Sequence, residues 1–388
     1  YLGILALDAF VYMQALNPSG GPANSTVVIS QHLLNTAFKK GKFGYATSMG
    51  ATLAIITLVF AAIVFFVFWW TGRPAKSAPV DKSAAPLLRA AVPVAPKPPN
   101  PAPLERPQPR KTFFTDKTVA TISHIALIGW VVIICAPLLW VLMSSFKTTQ
   151  QIFASPFTLP TSLNFENYVS AWTTANIGSY FFNTVIVVGF SLVIVMLLGA
   201  MCAYYLARYE FRGSRIIYYL MLAGLTFPIF LAVVPLFQTL RGFGLLNTFP
   251  GLIITYVAFA LPFTVFFLYS FFRTLPQEVA EAAMIDGAGP WRIFFTIMLP
   301  MATPGMASVA IFNFLGLWNQ FLLPIALNTN TANYVLSQGM ASFASQAGYA
   351  VNFGALFAAV VITVVPVLIT YIIFQRQLQG SVSQGLLK

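Results

Sequence analysis

Charge is the scarcest thing in this sequence. Of 388 residues only 8% are Asp, Glu, Lys or Arg, whereas 58% are hydrophobic. A soluble domain carries about a quarter charged residues, so an ordinary water-exposed surface is excluded. No charged residue occurs between Arg241 and Arg273 or between Arg292 and Arg376. Cysteine and histidine are nearly absent: Cys135, Cys202, His32 and His124 are the full set. That excludes a disulfide framework and argues against a metal centre, and the cysteines, inside apolar runs, read as packing residues. No Gly-x-x-x-x-Gly-Lys-Ser/Thr loop exists for a nucleotide. No Ser/His/Asp or Cys/His set stands at a plausible spacing, which argues against an enzyme. Asn24-Ser25-Thr26 fits a glycosylation sequon, but three residues carry little weight.

What the sequence has is apolar length. Several stretches exceed the roughly 20 residues that cross a hydrocarbon core as a helix. They predict an all-α integral membrane protein. Residues 1–14 are apolar but too short to span, and the start at Tyr1 fits the middle of a longer gene product. No basic stretch or cleavage site there suggests a signal peptide. A turn-rich polar loop follows, then a span over 46–70 that ends in Trp69 and Trp70, as interfacial anchors do. Residues 72–117 are rich in Pro, Ala, Lys and Arg; proline every few residues forbids a helix and predicts an extended, solvated linker. Six further spans are expected at about 119–145, 179–207, 216–239, 251–272, 303–327 and 354–375. The domains are therefore 1–71, the linker 72–117, and 118–388.

The net charge of +12 does not form a nucleic-acid patch, because the basic residues flank spans. With the linker inside, inner segments hold sixteen Lys and Arg and outer segments five. Lys39, Lys40 and Lys42 oppose that bias, but the larger excess wins. The linker, the loop 273–302 and the C-terminus are expected in the cytoplasm of a bacterial plasma membrane.

The informative stretch lies in that loop: Leu275-Pro276-Gln277-Glu278-Val279-Ala280-Glu281-Ala282-Ala283-Met284-Ile285-Asp286-Gly287, then Ile297-Met298-Leu299-Pro300. Pro276 suits a first helical turn. Glu278 and Glu281 favour a helix N-terminal half, and Gly287 can end it in the left-handed conformation. The expected product is a short exposed helix with small residues at Ala280, Ala282 and Ala283 and apolar Met284 and Ile285. Another protein could seat closely on such a surface.

Glu281-Ala282-Ala283, Gly287, Ile297, Leu299 and Pro300 together resemble the signature of permeases in binding-protein-dependent ABC importers, type I fold. Over 113–388 the chain is similar to the maltose-type G subunit of sugar importers. Asn183-Thr184, Ala203-Tyr204-Tyr205-Leu206-Ala207-Arg208, Phe211-Arg212-Gly213, Leu261-Pro262-Phe263 and Trp318-Asn319 carry that likeness. The resemblance implies that Glu281 to Pro300, with Asp286, couples to an ATPase subunit dimer. It also implies a weaker tail contact at Ser383, Gln384 and Gly385, although the family's frequent Thr-Ala-Gly is absent. Residues 1–71 resemble something else, the end of the maltose-type F permease, through Gly20-Gly21-Pro22-Ala23-Asn24-Ser25-Thr26, Ala37-Phe38 and Phe43-Gly44-Tyr45-Ala46. That implies a partial hairpin from a second permease, by natural fusion or merged reading frames.

The expected partners are thus an ATPase dimer, an F-type permease, an extracytoplasmic sugar-binding protein and the bilayer. No cofactor is expected on the chain itself; ATP with Mg belongs to the ATPase. Intramembrane Gln238, Asn313, Trp318, Asn319 and Gln320 are candidates for the translocation path, or else for helix–helix hydrogen bonds. Two alternatives to a sugar importer stay open: a permease for another solute, and a passive channel or structural membrane protein.

Overall fold

A computed structural model describes residues 27–71, 116–227, 229–346 and 352–385. The short apolar segment at 1–14 and the linker up to 115 lie outside these residues. Among the described residues every regular element is helical. Helix α1 (Ile29–Leu34) runs on through a π-type turn to Lys39, and α2 spans Phe43–Thr71. After the linker come α3 (Asp116–Ser144), α4 (Thr149–Ala154), α5 (Glu166–Thr173), α6 (Ile177–Arg208), α7 (Ser214–Leu225), α8 (Ile229–Gly242) and α9 (Phe249–Thr274). Helix α10 (Glu278–Ile285), α11 (Pro290–Met301), α12 (Thr303–Trp318), α13 (Leu322–Leu327), α14 (Leu336–Gln346) and α15 (Phe353–Gly385) complete the order.

Among the described residues, four helices are long and apolar enough to cross a membrane: α3 from Ala120, α6, α9, and α15 as far as Gln375. Two bent pairs, α7 with α8 and α11 with α12, raise the number to six. Two expected spans are therefore not straight. The stretch 216–239 is broken between α7 and α8, where Thr226 and Phe227 end the ladder ahead of Pro228, which has no N–H to give. The stretch 303–327 is broken at Asn319–Phe321 into α12 and α13. There the Gln320 side chain accepts the Phe321 amide at 3.2 Å, in place of a helical carbonyl. Helix α12 also meets α11 at 76°.

Contacts divide the chain into two units, residues 1–59 with 139–388, and residues 60–138. In the smaller unit the side chains from Ile122 to Leu138 are all exposed and nearly all apolar, as a lipid-facing span requires. The larger unit holds two apolar clusters. One joins Leu33, Val187, Phe230, Leu252, Leu323 and Leu336; the other joins Val195, Val265, Phe272, Phe294, Met298 and Val309. Helices α6 and α9 contribute to both, so they form the frame that carries the segment 275–300.

Candidate functional site

Helix α9 ends at Thr274, and Leu275 is extended (φ −72°, ψ 145°), as a residue before proline prefers. The next helix therefore begins at Glu278, and Pro276 stands outside it, not in its first turn as expected. Glu278 and Glu281 occupy the first turn, where their charge favours the exposed amide dipoles. Gln277 Nε2 donates to Glu281 Oε1 at 2.8 Å, which holds the carboxylate over that end. Asp286 is the C-cap, and Gly287 takes φ +79°. That left-handed turn lets the Ala288 amide reach back to Ala283 O at 2.9 Å.

The alanines do not form one outward face. Ala280 (6% exposed) and Ala283 (9%) pack inward on the second apolar cluster, so their smallness serves close seating of α10 on its own bundle. The outward surface holds Glu278, Glu281, Ala282, Met284, Asp286 and above all Ile285, which is 87% exposed. Beyond Gly287 the chain returns through α11, whose middle, Ile293–Met298, is a π-helical turn. Pro300 follows and cannot donate to the preceding turn, so a locally widened helix costs little there. Ile293, Phe294 and Met298 are buried, Ile297 and Leu299 are half-buried, and Pro300 is exposed. Five of the motif residues are thus exposed (Glu281, Ala282, Asp286, Gly287, Pro300), and Ala283 faces the bundle.

Two contacts tie this segment to the end of α6. Arg208 Nη2 donates to Leu275 O at 2.6 Å, just ahead of α10. Tyr204 packs on Phe272 and Phe294, at centroid distances of 5.5 and 5.2 Å, from either side of α10. The π-turn, α10 and the foot of α6 therefore lie packed together in one apolar cluster.

The path candidates separate. Asn313 is buried, and its Nδ2 donates to Thr264 Oγ1 at 2.8 Å across α12 and α9. Met196 Sδ of α6 stands 3.6 Å away, and Gly199 leaves no room for a Cβ against Thr264. Trp318 is buried and donates from Nε1 to Thr363 O of α15 at 3.2 Å. These two are bound into helix contacts. Gln238 and Asn319 are exposed and Gln320 is half-buried. Helix α15 carries Ser383, Gln384 and Gly385 in its last turns, but their side chains lie outside the described residues.

The profile of the family described as "Binding-protein-dependent transport system inner membrane component" matches residues 195–384, which include all of α10 and α11. The chain is 68% identical over 276 residues to a diacetylchitobiose uptake system permease protein of Streptomyces coelicolor. That match covers 71% of this chain and 91% of the relative. The chain belongs to this permease family. It is also 32% identical over 252 residues to a trehalose transport system permease protein of Mycobacterium tuberculosis, covering 65% of this chain and 92% of that one. A solved bacterial ABC transporter involved in alginate import has the same fold, with a TM-score of 0.61 at 19% identity, over 68% of this chain and 99% of the other. This permease is accordingly a multi-pass inner-membrane protein and a transport subunit.

Sequence reading missed three features of the permease. Arg208 looked like one of three basic residues in a short loop, and only the fold brings it to Leu275. Lys147 is 1% exposed, and its Nζ donates to Ser155 O and Pro156 O, both at 3.0 Å. A lone Lys after an apolar span gave no sign of that. The uncharged stretch after α13 is knitted by amides. Asn247, at φ 61°, accepts the Thr329 amide at 2.6 Å, and Asn333 Nδ2 donates back to Asn247 O at 2.6 Å. Gln338 Nε2 donates to Asn328 O at 2.7 Å. The cluster of Asn328, Asn330 and Asn333 was the available signal.

Proposed function

We propose that this permease is the membrane subunit of an ATP-driven sugar importer and that α10 is where the ATPase seats. The observation that carries the reading is the division of α10: Ala280 and Ala283 anchor it to the bundle, and Glu281, Met284 and Ile285 point away. A helix held on one side and bare on the other transmits a push from a partner. Arg208 and the Tyr204 stack carry that push to α6. ATP is hydrolysed on the separate subunit, and its binding shifts the permease between inward- and outward-facing states. A soluble binding protein delivers the sugar to the opposite side, and an F-type permease completes the path.

High identity to a diacetylchitobiose permease favours diacetylchitobiose or a similar amino-sugar disaccharide as the substrate. Neutral hydrogen-bonding groups suit such a ligand, and the spans near Asn319 and Gln320 hold no charge. The sidedness follows the basic excess, with α10 cytoplasmic. The deciding experiment is uptake of labelled diacetylchitobiose by cells that carry Glu281→Lys or Gly287→Asp. Both variants are expected in the membrane at normal amounts with uptake reduced at least tenfold. Uptake near the normal rate would sink the assignment of α10. A passive channel would conduct without an ATPase, so failure of the purified permease to capture the ATPase subunit would favour that class instead.

A further inference from the structure

The hairpin ahead of the linker is packed into the permease bundle. In α1 and its extension Leu33 and Ala37 are fully buried. In α2 the buried positions are Ala46, Gly50, Leu53, Ala54 and Thr57, the spacing of one helical face. This face meets α8. Phe38 and Phe43 close on Phe237 at centroid distances of 5.2 and 5.6 Å. Gly50 lies against the α8 backbone: a Cβ there would stand 3.4 Å from Leu231 Cα and from Phe230 O. Small residues at Ala37, Ala46, Gly50 and Ala54 let the helices approach closely, as at helix contacts within bilayers. Leu33, Phe230, Val233 and Val234 belong to one apolar cluster. The other face of α2 presents Tyr45, Ile55, Ile56 and Val59, all exposed.

Between the hairpin and α3 the sequence runs through residues 72–115, which are rich in proline. The segment that fills the face resembles the end of a second permease.

We infer that the face of α8 formed by Phe230, Val233, Val234 and Phe237 is a permease–permease contact, and that residues 29–59 fill it in cis as the terminal outer helix and span of a second permease. This rests on the importer reading above. It adds the surface at which the two permeases meet.

The test uses the full chain with Cys135→Ala and Cys202→Ala, a protease site placed in the linker, and the pair Phe43→Cys and Phe237→Cys. A short bis-maleimide is applied to membranes, and the linker is then cut. The two fragments are expected to stay joined on a denaturing gel, at least fivefold more than with Tyr45→Cys and Phe237→Cys, because Tyr45 lies on the far face. No link, or a link only between differently tagged copies, overturns the seat and leaves the importer reading untouched. The second readout is ATP hydrolysis in the reconstituted complex, stimulated by diacetylchitobiose and its binding protein. Ala37→Leu is expected to lower both stimulation and linking at least threefold at unchanged membrane amounts, and Tyr45→Leu neither. Full stimulation in Ala37→Leu overturns the role as a permease contact. An unsubstituted complex without any stimulation, but with the link intact, sinks the importer reading and not the seat.

Discussion

Single side chains in this protein are expensive when buried and polar, and three of them show how the bundle copes. Asn313 sits inside three helices with a neutral partner, Thr264. Such contacts in bilayers contribute about 0.6 kcal/mol on average and rarely above about 2. Asn313→Ala is therefore expected to lower the thermal unfolding temperature of the detergent-solubilised permease modestly and to leave uptake within about twofold. Lost uptake at unchanged stability would return Asn313 to the sugar path. Lys147 has a larger effect, because its ammonium serves two carbonyl oxygens with almost no water access. Charged hydrogen bonds are worth about 1.5–3 kcal/mol, so Lys147→Met should destabilise more than Asn313→Ala in the same assay. Trp140, which shares Pro156 O with Lys147 at 2.9 Å, softens the loss by keeping one of the carbonyls paired. Arg208 is the third: half-buried, it is joined through Nη2 to the carbonyl ahead of α10, while its buried Nε has no partner among the described residues.

At the scale of elements, α10 is the instructive case. Its eight residues are too few to be a stable helix in isolation. It is held by the inward alanines, by the Glu281–Gln277 bond and by the left-handed turn at Gly287. A residue with a Cβ costs about 1–2 kcal/mol in that conformation. Gly287→Ala is thus expected to loosen α10 locally, which faster amide exchange over 278–288 would report, with the rest of the bundle unchanged. Ile285 gives the complementary variant. Ile285→Ser removes an 87% exposed apolar side chain that no described residue covers. Capture of the ATPase subunit should fall at least fivefold while stability stays the same; undiminished capture would place the docking surface elsewhere.

At the scale of the whole molecule, sidedness follows from the distribution of Lys and Arg along the chain. Two exposed side chains, on opposite expected sides, report it: Ile285 at 87% and Phe157 at 86%. In a background without native cysteines, Ile285→Cys is expected to react with a membrane-impermeant maleimide only from the cytoplasmic side. Phe157→Cys is expected to react only from outside. Labelling of both from one side would refute the topology drawn from Lys and Arg. The exposed and nearly all apolar stretch from Ile122 to Leu138 belongs in lipid or against another span.

Much of this protein was legible without coordinates. Run length and the shortage of charge fix an all-helical membrane protein, because a buried backbone in lipid must bond to itself and nothing but closed hydrogen-bonded structures can do that. The short helix after α9 and its turn at Gly287 were also legible, because local capping and turn chemistry are written in adjacent residues. Tertiary structure alone decided which way the alanines of α10 face, that two spans are broken, that Asn313 and Trp318 are spent on helix contacts, and that residues 29–59 lie on α8. The reason is common to all four. In a chain that is apolar on every side, hydropathy no longer distinguishes a face packed on protein from a face turned to lipid. Only the neighbours in space make that distinction.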